Sequence, residues 1–249
     1  MGEQIKEYSH TFFLMPGDCN AQQHIPVTML VSKIIEVATE HANSWGVGYA
    51  TLITNNEAWV LSRVTIEMKR YPRVNEHYTL TTWVEAYNRH FSQRNFAISD
   101  DAGNEIGYAR TVWVVINSTT RESVDISKFS YIINNISDRE CPIDKQSKLR
   151  PVDSNRESKY RFRVTDIDFN RHVNSVRYVE LLLNQWNLDF FDTHEIRRFE
   201  VAFIKECKYD MEVNLKINDS TLDSTSEIIY DGESLCRARI SFCEENYKE

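Results

Sequence analysis

Hydrophobic and polar residues follow two distinct patterns along this chain. Between Ile25 and His41, apolar residues recur every three or four positions, which predicts an amphipathic helix. From Arg63 to Lys69, apolar residues alternate with polar ones, which predicts a strand with one covered face. Further strands are predicted over residues 8–16, 78–87, 91–99 and 106–117. The first half of the chain is therefore predicted to form one helix and a set of antiparallel strands.

The second half repeats this order of elements after a polar stretch. Residues 127–158 contain turn formers and few apolar residues, so we interpret them as a connection. A buried helix is predicted within residues 166–186, because its second half is an apolar run with almost no charge. Strands are predicted over residues 160–164, 197–208, 211–218, 226–231 and 235–243.

The repeat is also visible in the spacing of individual residues. Asp18 and His24 lie 148 positions before Asp166 and His172. A second spacing, of 129 positions, relates Gly103 to Gly232, Ala109 to Ala238 and Arg110 to Arg239. Two spacings, one shared by two pairs of residues and one by three, indicate an internal duplication, which predicts a similar fold twice.

The predicted fold is an α+β tandem, or double, hotdog. Each half has a long central helix wrapped by a curved antiparallel sheet, because a helix that is apolar nearly all round must be covered. We place the N-terminal hotdog at residues 1–126, the connecting segment at residues 127–158 and the C-terminal hotdog at residues 159–249. Edge-to-edge pairing of the two sheets would leave fewer strand edges open.

The stretch from Asp166 to Trp186 is the candidate reaction site. Polar residues occupy every second position at its start, namely Asp166, Asp168, Asn170, His172 and Asn174. Because a helix start leaves backbone N–H groups without helical partners, those of Val173 and Asn174 are candidate oxyanion donors. A histidine can hold or relay a proton near neutral pH, and neighbouring carboxylates and amides can act as a base or orient water. Asp168 also has a simpler interpretation, as the N-cap of the helix.

The first half carries a weaker copy of this stretch. His24 matches His172, but Asn20 and Gln22 occupy the positions that match Asp168 and Asn170. We therefore predict one active site per chain, located in the second half.

Bulk composition excludes several other classes of protein. The net charge of -8 argues against a nucleic-acid surface and against attraction to anionic membranes. The five cysteines are scattered and lack metal-ligand spacing, so we expect no metal site and a reducing compartment. The chain has no secretory signal and no apolar run near the roughly 20 residues of a membrane span. These features predict a cytoplasmic protein.

Four segments resemble the acyl-acyl carrier protein thioesterases of fatty-acid synthesis. They are DIDFNRHVNSVRYVELLLNQW (166–186), IKECKYDMEV (204–213), WVLSRVTIEMKRYPRVNEHYTLTTWVE (59–85) and IGYARTVWVVINSTTR (106–121). The resemblance covers nearly the whole chain in order. Ser175 departs from it, since a second asparagine is usual there, and the absence of a plastid transit peptide fits a bacterial enzyme.

The resemblance implies roles for individual residues. The family's catalytic residues fall on Asp168, Asn170, His172 and Glu206. Without the resemblance, Glu206 would be interpreted as an exposed charge on a strand. Cys207 falls on a cysteine once favoured as a nucleophile, but we expect it to be a small apolar filler of a strand.

The resemblance also implies an activity and a partner. We expect hydrolysis of acyl-acyl carrier protein to a free fatty acid, which ends chain elongation and needs no cofactor. The alternatives are an acyl-coenzyme A thioesterase and a non-catalytic acyl-binding module, and a homodimer is left open. Candidate acyl-pocket residues, which are also ordinary core positions, are Met29, Leu30, Ile34, Val60, Val64 and Ile66. Docking of an acidic carrier is expected to use basic residues such as Lys69, Arg70, Arg73, Arg197, Arg198 or Lys208.

Overall fold

The secondary structure is dominated by long antiparallel strands. A computed structural model describes residues 6–244 of the chain. The strands are β1 (Glu7–Phe13), β2 (Glu57–Met68), β3 (His77–Tyr87), β4 (Ser92–Asp100), β5 (Glu105–Asn117), β6 (Arg156–Arg161), β7 (His194–Phe203), β8 (Glu212–Asp219), β9 (Asp223–Tyr230) and β10 (Glu233–Glu244). The helices are α1 (Val27–Ser44), α2 (Tyr49–Leu52), α3 (Ser130–Ile133), α4 (Ser175–Leu183) and α5 (Leu188–Phe191). None of the helices within residues 6–244 combines the length and apolar character needed to cross a membrane.

The described chain divides into two units. The N-terminal unit comprises residues 6–64 and 69–145, and the C-terminal unit comprises residues 65–68 and 146–244. Strands of the N-terminal unit follow the order β1-β3-β4-β5-β2, except that residues 65–68 of β2 belong to the C-terminal unit. The other strands of the C-terminal unit follow the order β7-β10-β9-β8-β6. The pairs β1–β3, β3–β4 and β4–β5, and likewise β7–β10, β10–β9, β9–β8 and β8–β6, are antiparallel. The predicted α+β class with antiparallel strands is therefore confirmed.

Helix α1 supplies much of the core of the N-terminal unit. It begins after Pro26, whose fixed φ suits a helix start, and the chain leaves it through Gly46 at a φ of 70°. Its apolar residues recur at helical spacing and are buried, including Leu30, Val31, Ile34, Val37 and Ala38. The helix packs on β1 and β3.

Helix α4 is shorter than the sequence predicts. It has 9 residues, against 18 in α1, and it begins where the side chain of Asn174 accepts the N–H of Val176. Its Tyr178 lies between Phe162 and Phe203, with ring centroids 5.8 and 5.7 Å away. The expected long central helix in each half is therefore found only in the N-terminal unit.

Strands β6 and β7 also differ from prediction near the site. Strand β6 begins at Arg156, inside the predicted connection, and ends at Arg161 because the side chain of Asp166 draws the next residues into a turn by accepting the N–H of Arg163. Strand β7 ends at Phe203, because the next two N–H groups both donate to the carbonyl of Leu235. The expected strand position of Glu206 and Cys207 is therefore wrong, since both residues lie in the loop between β7 and β8.

The same backbone hydrogen bonds occur in both units. Asn75 N–H donates to Leu14 in one, and Asp210 N–H donates to Phe162 in the other, with φ of 65° at Asn75 and 66° at Asp210. Leu14 and Phe162 keep the 148-residue spacing, whereas Asn75 and Asp210 are 135 positions apart. This third spacing, which the sequence patterns did not show, makes Tyr71 the counterpart of Glu206 and Pro72 the counterpart of Cys207.

Two glycines close corresponding hairpins. Gly103 lies in the β4–β5 turn at a φ of 81°, and Gly232 lies in the β9–β10 turn at a φ of 78°. A side chain at either position would meet no neighbour within 4 Å, so the backbone conformation alone favours glycine.

We predict that Gly103→Ala and Gly232→Ala each lower the free energy of unfolding by about 1–2 kcal/mol, the cost of a left-handed conformation for a residue with a Cβ. Chemical denaturation of each variant measures this change. Gly17→Ala is the matched control, because Gly17 has equal space and no left-handed φ. Equal stability of all three variants would contradict the prediction.

Candidate active site

A tight turn carries three of the four predicted catalytic residues. Oδ1 of Asp168 accepts the N–H of Asn170 at 2.8 Å and that of His172 at 3.2 Å. The N–H of Asp168 donates to the carbonyl of His172 at 2.8 Å, and Arg171 adopts a φ of 64° inside the turn. The carboxylate therefore shapes the loop that presents Asn170 and His172. The interpretation of Asp168 as the helix N-cap is wrong, because Asn174 occupies that position.

Glu206 meets the ring of His172 although 34 positions separate them. Oε2 of Glu206 lies 3.3 Å from Nε2 of His172, and their side chains are 36% and 20% exposed. The backbone brings them together, since the N–H of Val173 donates to the carbonyl of Cys207 at 2.9 Å. A half-exposed carboxylate beside an imidazole can take and pass on a proton from a water molecule.

The predicted oxyanion donors are already bonded within the protein. The N–H of Val173 donates to Cys207, and the N–H of Asn174 donates to the carbonyl of Asp166 at 2.9 Å. The prediction placed both residues at a helix start, but α4 begins only at Ser175. Neither N–H group is therefore available to an oxyanion in this structure.

The N-terminal unit contains the same turn without carboxylates. Oδ1 of Asn20 accepts the N–H of His24 at 2.9 Å, and Gln23 adopts a φ of 63°, as Arg171 does in the other unit. The ring of His24 lies parallel to that of Tyr71, with centroids 6.4 Å apart. An amide and a phenol thus replace the two carboxylates in this unit, and one active site per chain stays a prediction.

Both halves of the chain match models of known protein domains. Residues 5–131 match the acyl-ACP thioesterase N-terminal domain, and residues 149–244 match the acyl-ACP thioesterase C-terminal domain. This chain belongs to the acyl-ACP thioesterase family. The family predicted from the sequence is therefore confirmed.

Individual thioesterases resemble the chain over most of its length. An acyl-ACP thioesterase of Bacteroides thetaiotaomicron has 35% sequence identity and a TM-score of 0.90, covering 98% of this chain and 100% of that one. The 12:0-ACP thioesterase of Umbellularia californica, at 20% identity and a TM-score of 0.85, shares the fold and covers 98% of this chain and 100% of its own.

Curated plant relatives are longer than this chain. The oleoyl-acyl carrier protein thioesterase 1, chloroplastic, of Arabidopsis thaliana is 26% identical over 246 residues, which cover 89% of this chain and 65% of that protein. The palmitoyl-acyl carrier protein thioesterase, chloroplastic, of Gossypium hirsutum is 25% identical over 248 residues, which cover 92% of this chain and 59% of that protein. The match thus spans less than two thirds of each relative.

Cys207 has the properties of a core residue in this thioesterase-family chain. Its side chain is fully buried, and burial raises the pKa of the thiol to about 11. The thiolate is the nucleophilic form, and a pKa of about 11 leaves only about one thiol in a thousand ionised at pH 8. The buried thiol of Cys207 is therefore poorly suited to act as a nucleophile.

The candidate acyl-pocket residues differ in burial. Leu30, Ile34 and Val64 are buried in the N-terminal unit, Ile66 is buried in the C-terminal unit, and Met29 and Val60 are half-buried. Their role in holding an acyl chain stays a prediction. Within residues 6–244, no group of three or more His, Cys, Asp and Glu side chains is arranged to hold a metal ion.

We predict that a thiol reagent such as iodoacetamide modifies Cys19 and Cys243 of the native protein before Cys207. The first two are half-buried, whereas Cys207 is fully buried and its raised pKa disfavours the reactive thiolate. Peptide mass mapping after timed exposure gives the order of modification. The unfolded protein is the control, in which all sites should react at similar rates. Preferential labelling of native Cys207 would contradict this picture of the loop.

Proposed function

We propose that this protein hydrolyses the thioester of acyl-acyl carrier protein and releases a free fatty acid, ending chain elongation. The contact between His172 and Glu206, beside the turn built by Asp168, is the observation that carries the proposal. The family match over both halves supports it. We further propose that each unit is one hotdog, with residues 1–126 and 159–249 as the two domains.

The proposed reaction uses water and no cofactor. Glu206, acting with His172, removes a proton from a water molecule whose oxygen attacks the thioester carbonyl carbon. The tetrahedral intermediate then collapses, the carbon–sulfur bond breaks, and the proton passes to the leaving sulfur. Asp168 holds the turn through the hydrogen bonds to its Oδ1, so Glu206 is the better placed of the two carboxylates to act as the base. Exposed Asn170 can orient the water or the carbonyl.

A cytoplasmic, bacterial enzyme of fatty-acid synthesis is the proposed setting. All five cysteines are free thiols in the structure, which suits a reducing compartment. The 35% identity to the Bacteroides thetaiotaomicron protein supports a bacterial origin.

We propose that the carrier docks on the two loops that hold the site. Residues 163–171 and 204–211 lie side by side, because Val173 bonds to Cys207 and Phe162 exchanges backbone hydrogen bonds with Asp210 and Met211. These loops expose apolar side chains, Val164 at 73%, Phe169 at 76% and Tyr209 at 58%. An exposed apolar patch with a charged rim is typical of a protein-binding surface.

Three cations accompany that apolar patch. Arg163, Arg171 and Lys208 are exposed, and none of them pairs with a carboxylate within residues 6–244. Two of the basic residues expected for docking are neutralised instead. Arg70 binds Glu76 and Asp100, and Arg198 binds Glu67 and Glu200, as the ion pairs show. Of the expected set, Lys208 remains in the proposed surface.

We predict that the purified protein cleaves acyl-acyl carrier protein faster than the matching acyl-coenzyme A, because only the former offers the docking contacts. A series of both thioesters differing in acyl length, with free thiol measured over time, tests this. Preference for coenzyme A would favour the alternative carrier. No cleavage of any thioester, together with measurable acyl binding, would favour a non-catalytic module.

Site variants in the same assay assign the residues. Glu206→Gln should lower kcat by about 10²–10⁴-fold, the usual contribution of a general base. Asp168→Ala should also lower kcat, because it removes the oxygen that accepts the N–H groups of Asn170 and His172, whereas Asp168→Asn should keep the turn, as Asn20 does in the other unit. Cys207→Ala should keep most of the activity, because the thiol is buried and protonated. A folded but inactive Cys207→Ala variant would contradict the proposed roles.

We predict that Arg163→Glu, Arg171→Glu and Lys208→Glu each raise KM for acyl-acyl carrier protein by about 3–10-fold at low salt, with a smaller effect at high salt. Steady-state kinetics at two ionic strengths measures this. Lys159→Glu makes the same charge change at an exposed position of β6 and is the matched control. Equal effects of Lys159→Glu and the three loop variants would rule out this surface.

A further inference from the structure

We propose that Tyr178 is a positioning residue that holds Glu206 against His172, by accepting a hydrogen bond from the N–H that follows Glu206 in the chain. The proposal rests on the function proposed above, because it concerns the geometry of the same site. It adds a residue that does not touch the reacting atoms and acts through Glu206.

The central observation is a buried hydrogen bond. The N–H of Cys207 donates to the hydroxyl oxygen of Tyr178 at 2.7 Å. Tyr178 is 4% exposed and Cys207 is fully buried, so water cannot replace the bond readily. Since this N–H belongs to the peptide group that joins Glu206 to Cys207, the bond fixes the plane of that peptide. It thereby restricts where the Glu206 side chain can point.

A second bond ties the same segment to the same part of the chain. The carbonyl of Cys207 accepts the N–H of Val173 at 2.9 Å, and Val173 follows His172 directly. Both bonds around Cys207 therefore come from residues just before α4 or within it. As a result, the loop carrying the carboxylate is held to the residues that carry the imidazole.

This loop needs such bonds because no strand pairing orients it. Strand β7 ends at Phe203 and β8 begins at Glu212, so Glu206 lies between them. The phenol is held firmly in turn, since its ring contacts Phe162 and Phe203. Burial raises the pKa of the Tyr178 hydroxyl well above its ordinary value, so the phenol stays neutral while the enzyme works.

The N-terminal unit provides an internal comparison. At the repeat spacings, Leu30 corresponds to Tyr178 and Pro72 to Cys207. Leucine has no hydroxyl, and proline has no N–H to donate. The counterpart of the bond from Val173 to Cys207 is present, because the N–H of Ile25 donates to the carbonyl of Pro72 at 3.0 Å.

This comparison shows whether the hydrogen bond to the phenol is required for the backbone arrangement or for placing the glutamate. The N-terminal unit forms the same turn and loop without a phenol bond, so the backbone arrangement does not require one. That unit also lacks the glutamate, since Tyr71 stands in its place. The hydroxyl and its N–H donor thus occur together in the unit that has a carboxylate to position.

We predict that Tyr178→Phe lowers kcat by about 10–100-fold and changes KM by less than about twofold, since a small misplacement of a catalytic group has effects of this size. Tyr108→Phe is the matched control, because Tyr108 is a buried tyrosine whose hydroxyl binds Glu105 in the N-terminal unit. In the Glu206→Gln background, Tyr178→Phe should cause little further loss of kcat, because the group that it positions is gone. Additive losses in the double variant, or an unchanged kcat in the single variant, would overturn the proposal.

A spectroscopic measurement makes the test independent of activity. The ring nitrogen signals of His172 in NMR report on the carboxylate beside them. Tyr178→Phe should shift these signals in the same direction as Glu206→Gln, whereas Tyr108→Phe should leave them in place. Shifts of His172 without hydrolysis by the wild type would support the positioning role while refuting the proposed function. Unchanged signals in Tyr178→Phe would overturn the positioning role.

If Tyr178→Phe does not fold, a second variant can be used for the test. Tyr178→Leu combined with Cys207→Pro copies the Leu30 and Pro72 pair, and we expect it to fold with the same loss of kcat and the same displacement of the His172 signals. Full activity of this folded variant would overturn the proposal. Failure of both variants to fold would also overturn it, because the hydrogen bond would then serve the fold.

Discussion

The candidate site depends on one backbone hydrogen bond, from the N–H of Val173 to the carbonyl of Cys207. It joins the turn before α4 to the loop after β7, two segments that no strand pairing connects. His172 precedes the donor and Glu206 precedes the acceptor, so the bond sets the distance between imidazole and carboxylate. The corresponding bond, from Ile25 to Pro72, is present in the N-terminal unit, so the bond does not depend on the histidine–glutamate pair.

The two units keep the same backbone arrangement with different side chains. In each unit a polar side chain accepts the N–H of the histidine four positions later, from Asn20 or from Asp168. An amide oxygen serves this structural purpose as well as a carboxylate does, so replacing one by the other preserves the turn. Catalysis has stricter requirements, since it needs the charge and the proton affinity of a carboxylate.

The order of elements and the repeat could be predicted from the sequence, for identifiable reasons. Alternating and helical patterns are local, so β3 to β5 and α1 were found with errors of a few residues, and β2 was found without its first six residues. Glu206 was identified only through the resemblance of the chain to the thioesterase family. A comparison of the two halves could not find it, because the first half has Tyr71 at the corresponding position. The bonding of individual N–H groups, as at Val173 and Asn174, depends on contacts distant in the chain. No local pattern contains that information.

The two copies of the histidine turn differ in their access to water. His24 is 7% exposed and lies against an aromatic ring, whereas His172 and its carboxylate partner keep 20% and 36% of their side-chain surfaces open. Water is the second substrate of any hydrolysis, so only a histidine that water can reach can take part in one. The chain thus buries His24 in its core and leaves His172 partly exposed to solvent. The same backbone turn packs its histidine into the core in one unit and leaves it partly exposed, beside a carboxylate, in the other.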